Sequence, residues 1–356
     1  MSPTEQVVGA APPEGAEIVT PTGPDELAGF LADATESALR VAVWGGGTHR
    51  DLGYDTSFDV VVSTAGMSGI EEWIPDDLTV VVGAGTSVAE LEAELNSGGQ
   101  TALLPEQPGQ ATVGGVVATG SSGYARLRYG PTRDRILEVQ AVTGDSRHIK
   151  GGGRVVKNVT GYDLPRLYTG SFGSLGVITS VCLKLWPLTE ATATVVLDEV
   201  PPQEAVYRPR AVLQTPEGTR VLLSGTRREV DEIARRLGGE RLEGLHLPDP
   251  VPGATVWSAR VPPSMLPATV GRFPPDTSYV AQHGVGEVTF SADDLEFVTD
   301  LRTWAEEAGG AVVRVRGHSD LDPWGTPPAT LELQRRIVAA FDPARILERG
   351  RLPGGL

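Results

Sequence analysis

The stretch VAVWGGGTHRDLGY, Val41 to Tyr54, runs four apolar residues straight into three glycines. The apolar half reads as a buried strand. The glycines have no side chains to pack and cost backbone entropy on folding. A bare main chain at a strand end suits the close approach of a ligand, a phosphate above all. Upstream, AEIVTP reads as a short strand and GPDELAGFLADATESAL as a helix. That helix has Thr22 or Asp25 near its cap and Leu27, Phe30, Leu31, Ala34 and Leu39 as apolar positions. The two strands and the helix make a β-α-β unit, and the glycine run closes it.

Downstream, DVVVST and LTVVVGAGT read as strands. SVAELEAELNSGG reads as a helix, started at Thr86/Ser87, apolar through Val88, Leu91 and Leu95, and stopped by Gly98-Gly99. Leu103 to Gly130 is rich in Gly, Ser and Thr and too long for a plain connector, which marks it as functional. ILEVQAVTGDSRHIKGGG reads as a hairpin turning at Thr143-Gly144-Asp145. FGSLGVITSVCLKLWPL reads as a buried strand.

Near Thr189 the pattern resets. RVLLSGTRREVDEIARRLGG and ATVWSARVPPSMLPATVGRF each read as strand then helix. YVAQHGVGEVTF reads as one strand or a tight pair, and DDLEFVTDLRTWAEEAGGAVVRVRG as helix then strand. Together they predict a β-α-β-β-α-β-like antiparallel plate with helices on one face. A proline-rich link, an amphipathic helix and a tail follow, and no internal repeat is legible. The predicted class is α+β. The predicted organisation is a loose tail over 1–15, a first domain over 16–189, a small α+β domain over 190–320, and a helix and tail over 321–356 that return to the first domain.

Composition narrows the chemistry. The chain has 356 residues, 40% apolar and 21% charged, the profile of a soluble globular protein. A net charge of -16 disfavours nucleic acid and anionic membrane as partners. Cys182 is the only cysteine, so the chain makes no internal disulfide and holds no cysteine-ligated iron–sulfur cluster. None of the five histidines is paired at metal-ligand spacing. No basic-then-apolar leader and no apolar run of membrane-spanning length is present, so a cytoplasmic location is expected.

Three glycine clusters stand out: Gly45 to Thr48, Thr112 to Gly123 (TVGGVVATGSSG) and Gly170 to Thr179 (GSFGSLGVIT). Successive N–H groups in such turns form anion-binding nests, and two nests could grip a diphosphate from both sides. Tight turns in a chain with 44 glycines are the other reading. A phosphate-binding P-loop is absent, since GGGRVVKN puts Lys157 in the wrong place with no hydroxyl after it. A Rossmann fingerprint fails too: in VVGAGTSVAEL, Val88 stands where the third glycine belongs.

In order and spacing, WGGGTHRDLG, VVVGAGTSVAELEAEL, TVGGVVATGSSG, RYGPTRDRILEVQAVTGDSRHIKGGG and GSFGSLGVIT resemble the FAD-binding domain of the vanillyl-alcohol oxidase/p-cresol methylhydroxylase flavoproteins. The resemblance covers the first 190 or so residues. Within that family, GGGRVVKNVTGYDLPRLYTGSFGSLGVIT and the ending FDPARILERGRLPGGL are most similar to the FAD-binding subunit of glycolate oxidase. Those chains usually read Asn-Pro-Gly-Arg near the end; here Glu348 and Arg349 replace the Asn-Pro. The resemblance implies a two-subdomain FAD-binding domain plus a small ferredoxin-like second domain.

It also implies roles. Gly45, Gly46, Gly47, Thr48 and His49 would wrap the FAD diphosphate through the main chain. Thr112, Gly114, Gly115, Ser122 and Gly123 would line its other side. Gly176, Val177 and Ile178 would make main-chain contacts near the adenine or the isoalloxazine edge. Thr48 separates His49 from the glycines, so non-covalent FAD is expected. Arg126, Arg128 and Lys157 are the candidates to face the flavin and clamp a substrate carboxylate; no catalytic base is singled out.

Relatives of the catalytic type carry an H-x-G-D-G-N-x-H motif and a Gly-Ser-Glu-Gly. Here QHGVGEVTF keeps only His283, and Phe172 replaces that Glu. No metal site is expected. The expected role is an FAD subunit of a glycolate or 2-hydroxy acid dehydrogenase complex, with a larger FAD-binding catalytic subunit and an iron–sulfur subunit as partners, peripheral to a membrane at most through that complex. A stand-alone FAD oxidase or dehydrogenase, and a scaffold with a degenerate flavin site, are the alternatives.

Overall fold

The computed structural model describes residues 11–106, 109–154 and 161–356. It opens with three parallel strands, Glu17–Val19 and Val41–Trp44 on either side of Val60–Ser63. Parallel neighbours need a crossover. The helix Pro24–Glu36 supplies one, started by a proline and by Asp25 and Glu26 in its first turn. It buries Leu27, Leu31 and Ala34 in one core with Val41, Val60 and Val62. The C-terminal tail lengthens this sheet. Val41 N–H donates to Ile346 O (2.7 Å), and Glu348 N–H donates to Val41 O (2.9 Å).

A five-stranded antiparallel sheet follows, in the order Ile70–Ile74, Thr79–Gly83, Val177–Lys184, Ile136–Val142, His148–Gly152. Its central strand is buried at every residue but Lys184. The predicted hairpin is there as read. The helix Val88–Ser97 carries a full capping box between Ser87 and Glu90. It shares a core with Val82, Val139, Val181 and the C-terminal helix Leu331–Phe341. Burying side chains such as Leu91, Leu95 and Leu183 contributes roughly 1.5–3 kcal/mol each. Two elements differ from expectation. Residues 113–119, for which no element was read, form the helix Val113–Thr119, and Ile70–Ile74 adds an edge strand.

Residues 191–316 build one eight-stranded antiparallel sheet, larger than the predicted plate. Its order is Glu240–Glu243, Ala191–Leu197, Gly218–Gly225, Ala211–Thr215, Tyr279–Gln282, Glu287–Ser291, Val256–Arg260, Ala311–Arg316. The last four make a β-α-β-β-α-β unit by themselves, whereas the predicted one began at the Gly218–Gly225 strand and took in the whole domain. The first four repeat its topology: read inward from either edge, the strands come fourth, first, third, second within their half. An internal repeat therefore exists in the fold, although none is legible in the sequence. Helices Arg227–Leu237 and Leu295–Glu307 cover one face. The strand alternation sends Trp257, Ala259, Ala281, Val288 and Phe290 into the core beneath the second of these helices, and turns Ser258, Arg260, Gln282, Glu287 and Thr289 toward the first domain.

Candidate functional site

The glycine run leaves the Val41–Trp44 strand at the seam between the parallel and antiparallel sheets. The nearest cause of its bareness is the chain itself. A Cβ on Gly46 would overlap the Gln110 carbonyl, and one on Gly45 would overlap Thr112 Oγ1. Thr112 caps the helix Val113–Thr119, accepting from Gly115 N–H (3.2 Å). One residue earlier, Gly114 lies against the end of the Thr79–Gly83 strand, where a Cβ would stand 2.7 Å from the Cβ of Ala84, the next residue. Gly176, at φ +150°, enters the central strand with no room for a Cβ, 2.6 Å from Val142 O.

These three backbones enclose a recess. It is lined by Gly45 to Arg50, Thr112, Gly114, Gly115, Phe172, Gly176, Ile178 and Arg351. Among the described residues, the N–H groups of Gly46, Gly47 and Thr48 reach no acceptor. Consecutive free N–H groups are an anion-binding concavity. The recess opens into a cleft of about 830 Å³ between the first domain and the polar face of the eight-stranded sheet. A narrow main-chain cradle leading to a broad half-polar cleft fits a dinucleotide with a diphosphate at its waist.

His49 sits where recess and cleft meet. Thr119 Oγ1 donates to Gly115 O (2.8 Å), which leaves its oxygen to accept from Ser121 Oγ (2.9 Å). Ser121 then accepts from His49 Nε2 (3.0 Å), and His49 Nδ1 accepts from Thr48 Oγ1 (3.0 Å). A carbonyl can only accept, so the chain of bonds fixes the neutral Nε2–H tautomer. Burial, with the nearby Arg351 guanidinium, pushes the imidazole pKa down to about 4.

The other predicted residues separate. Ser122 and Gly123 line the cleft, and Ser122 Oγ accepts from Thr132 N–H (3.1 Å). Val177 is fully buried in the first-helix core, so only its main chain can serve a ligand. Arg126 faces the cleft and pairs across it with Glu287 (3.2 Å). Arg128 corrects the expectation that it faces the same space. Its Nη1 donates to the carbonyl and hydroxyl of Ser224 on the second-domain strand, drawing it out of the cleft. Lys157 lies outside the described residues. His283 is bound through Nε2 to Gln214 Oε1 (2.8 Å). Among the described residues no group of three or more His, Cys, Asp or Glu could hold a metal ion, and no helix is long and apolar enough to cross a membrane. Burial raises the Cys182 thiol to about 11, which makes it inert.

Sequence reasoning missed the C-terminal side of the site. Glu348, only 3% exposed, accepts from Val43 N–H (2.7 Å) and pairs with Arg50 (2.7 Å) and Arg351 (3.2 Å). Arg351 in turn donates to Leu52 O (3.1 Å) and His49 O (2.5 Å). The place where the ending departs from the family pattern is thus where the tail grips the glycine loop. Ser258, Arg260, Gln282 and Glu287 were also missed. Their signal was a polar residue at every second position of otherwise apolar strands.

A family model described as an FAD-binding domain matches residues 16–152. The chain is similar to the glycolate oxidase subunit GlcE of Escherichia coli, 40% identical over 39% of this chain and 40% of that one. It is similar to a D-lactate dehydrogenase of Archaeoglobus fulgidus, 35% identical over 52% and 42%. It is similar also to the glycolate oxidase subunit GlcD of Bacillus subtilis, 31% identical over 50% and 38%. Each match spans less than half of the relative's length. Among solved structures, an alkyldihydroxyacetonephosphate synthase superposes with a TM-score of 0.65 at 15% identity, over 92% of this chain and 75% of the other, a likeness of fold alone. Residues 16–152 and the recess they frame are thus an FAD-binding domain, and its cofactor is FAD.

Proposed function

We propose that the chain is an FAD-bearing subunit of a glycolate or related 2-hydroxy acid dehydrogenase complex, and that it relays electrons toward an iron–sulfur partner. When bound, the flavin supplies an acceptor for two electrons that can be released one at a time. The residues of this chain would hold it. Gly46, Gly47 and Thr48 offer N–H groups to the diphosphate, Gly176 and Ile178 flank the same recess, and the polar face of the eight-stranded sheet forms the opposite wall of the cleft.

The observation that carries the relay reading is the state of the cleft's bases. Removing a proton from a 2-hydroxy acid takes an unprotonated group within hydrogen-bond reach of that proton. Among the described residues lining the cleft, four side chains could accept one: His49, Asp51, Glu106 and Glu287. His49 Nδ1 is occupied by Thr48. Asp51 accepts from Gly317 N–H (3.1 Å). Glu106 accepts from Tyr124 N–H (3.1 Å) and pairs with Arg210 (3.4 Å). Glu287 is held by Arg126, Arg260 and Ser258. Each is held by partners within the chain, which supports assigning the oxidation of substrate to a larger flavin-bearing partner. Burial raises the nearby Tyr124 hydroxyl to about 12, so it is no base near neutral pH.

The names of the relatives support the substrate class, since two are glycolate oxidase subunits and one a D-lactate dehydrogenase. The test is to purify the isolated chain and the native assembly side by side. The isolated chain should be yellow, be reduced by dithionite, and turn over neither glycolate nor D-lactate. The native assembly should turn over substrate and contain a larger flavin chain and a cysteine-rich chain. Sustained turnover by the isolated chain would favour the stand-alone enzyme.

A further inference from the structure

We infer that Arg50 and Arg351, tied together by Glu348, form a cationic wall for the FAD diphosphate, with the C-terminal tail as the strap that positions it. The inference rests on the placement of the diphosphate at Gly46 to Thr48. Two guanidinium groups and one carboxylate meet in this cluster, which leaves one positive charge uncompensated. An uncompensated charge away from water is costly unless an anion accompanies it. Arg50 is bound on one side only. Its Nη1 reaches Glu348 (2.7 Å) and Val43 O (3.3 Å), while Nε and Nη2 meet no acceptor among the described residues. The guanidinium is stacked 4.5 Å over the Trp44 ring, which fixes its plane, and the residue lines the recess.

Arg351 is fixed from every side. It is bonded to Glu348, Leu52 O and His49 O, and it stacks 5.2 Å from the Phe172 ring. Its own carbonyl accepts from Trp324 Nε1 (2.9 Å) and Tyr54 N–H (3.2 Å). Glu348 holds both arginines from a left-handed backbone, φ +43°, a conformation that costs of order 1–3 kcal/mol in a residue other than glycine and persists when its surroundings enforce it. Those surroundings are the Val41 pairing on one side and the Val43 N–H on the other. The nearest other carboxylate on the loop, Asp51, is turned away to Gly317. Arg50 is therefore the free donor, Arg351 the anchor, and Glu348 a positioning residue that acts through both.

The experiment strips flavin from the purified protein and titrates FAD back, following flavin fluorescence at low and high salt. Thermal melts of the flavin-free protein serve as a control. Arg50→Met should weaken FAD about 10-fold, equivalent to about 1.4 kcal/mol, and flatten the salt dependence, because a screened charge has been removed. Arg351→Met should weaken FAD as well and speed its release. Arg50→Lys keeps the charge and should keep the salt dependence. An unchanged affinity in Arg50→Met, or a weakened one whose salt dependence is intact, would overturn the wall. Unchanged affinity and release in Arg351→Met would overturn the strap. Should Arg50→Met fail to fold, Arg50→Lys decides: a retained salt slope supports the wall and a lost one overturns it. A wild-type chain that takes up no FAD would instead defeat the placement of the cofactor itself.

Discussion

At the scale of single residues, glycines that look alike in sequence have different reasons to be there. Gly46 touches the Gln110 main chain, which cannot move aside. Gly115 is 3.1 Å, as a hypothetical Cβ, from a threonine hydroxyl that can. Gly46→Ala should therefore cost about 3 kcal/mol through overpacking, whereas Gly115→Ala should fall within about 1 kcal/mol of wild type, helped by helix propensity. Urea denaturation of the two variants checks the contrast, and equal effects would refute it. His49 gives a second prediction. Its pKa is about 4 in the fold against an ordinary 6.5, so the unfolded chain binds the proton more readily. Its contribution to stability is then present above pH 6.5 and lost as pH falls toward 4. The stability difference between wild type and His49→Gln should shift against wild type over that interval, measured by denaturation at several pH values; a constant difference would refute it. The glycine run was legible as a site. Which neighbour each glycine touches was not, because the partners lie some 65 residues away in chain order, and pairing of that kind is set by tertiary structure.

At the scale of elements, the helix Val113–Thr119 and the loop Gly45–Thr48 are one device. The sequence hides the helix, since two glycines in seven residues remove most of its intrinsic propensity. Its cap, Thr112, both starts the helix and occupies the space that a side chain at position 45 would need. This coupling is measurable. Thr112→Ala alone should cost about 1 kcal/mol as a lost cap, and Gly45→Ala alone should cost more than that through its clash with Thr112 Oγ1. In the double variant the clash is gone, so the combined loss should fall below the sum by about 1 kcal/mol or more. Additive losses would mean that the loop and the helix cap are independent. Some strands with apolar patterns, such as Val177–Lys184, were readable, whereas Ala191–Leu197 and Ala211–Thr215 were not read as strands. Charged edge strands were not: Glu240–Glu243 shows only one apolar residue in four, and Ile70–Ile74 carries two glutamates in its middle. Such edges are specified by their neighbours and by the need to discourage further pairing.

At the scale of the whole molecule, the cores of the two domains face each other across a cleft, bridged by side-chain pairs such as Arg126 with Glu287, Arg128 with Ser224 and Arg210 with Glu106. The repeat in the second domain escaped detection because it survives as strand order and alternation, which many unrelated residues satisfy. The tail returning to the first domain was expected, but its ionic content was not. A buried Glu three residues from a buried Arg is indistinguishable in sequence from a solvated i,i+3 pair. Here both are nearly sequestered, at 1% and 6% side-chain exposure, and the third partner, Arg50, is remote in sequence. Removing the carboxylate alone leaves two guanidinium groups facing each other in a poorly solvated space and strands the Val43 N–H. Breaking a buried pair from one side typically costs about 3–5 kcal/mol. Glu348→Ala should destabilise the flavin-free first domain by that amount. Glu348→Gln, which keeps an oxygen for Val43 and for Arg50, should cost visibly less. Loss of the tail's grip should also expose the loop at residues 46–52 to faster amide exchange while the second-domain strands Val256–Arg260 and Glu287–Ser291 keep their protection. If exchange instead accelerates equally in both domains, the triad supports the molecule as a single cooperative unit, and its assignment to the flavin loop is wrong.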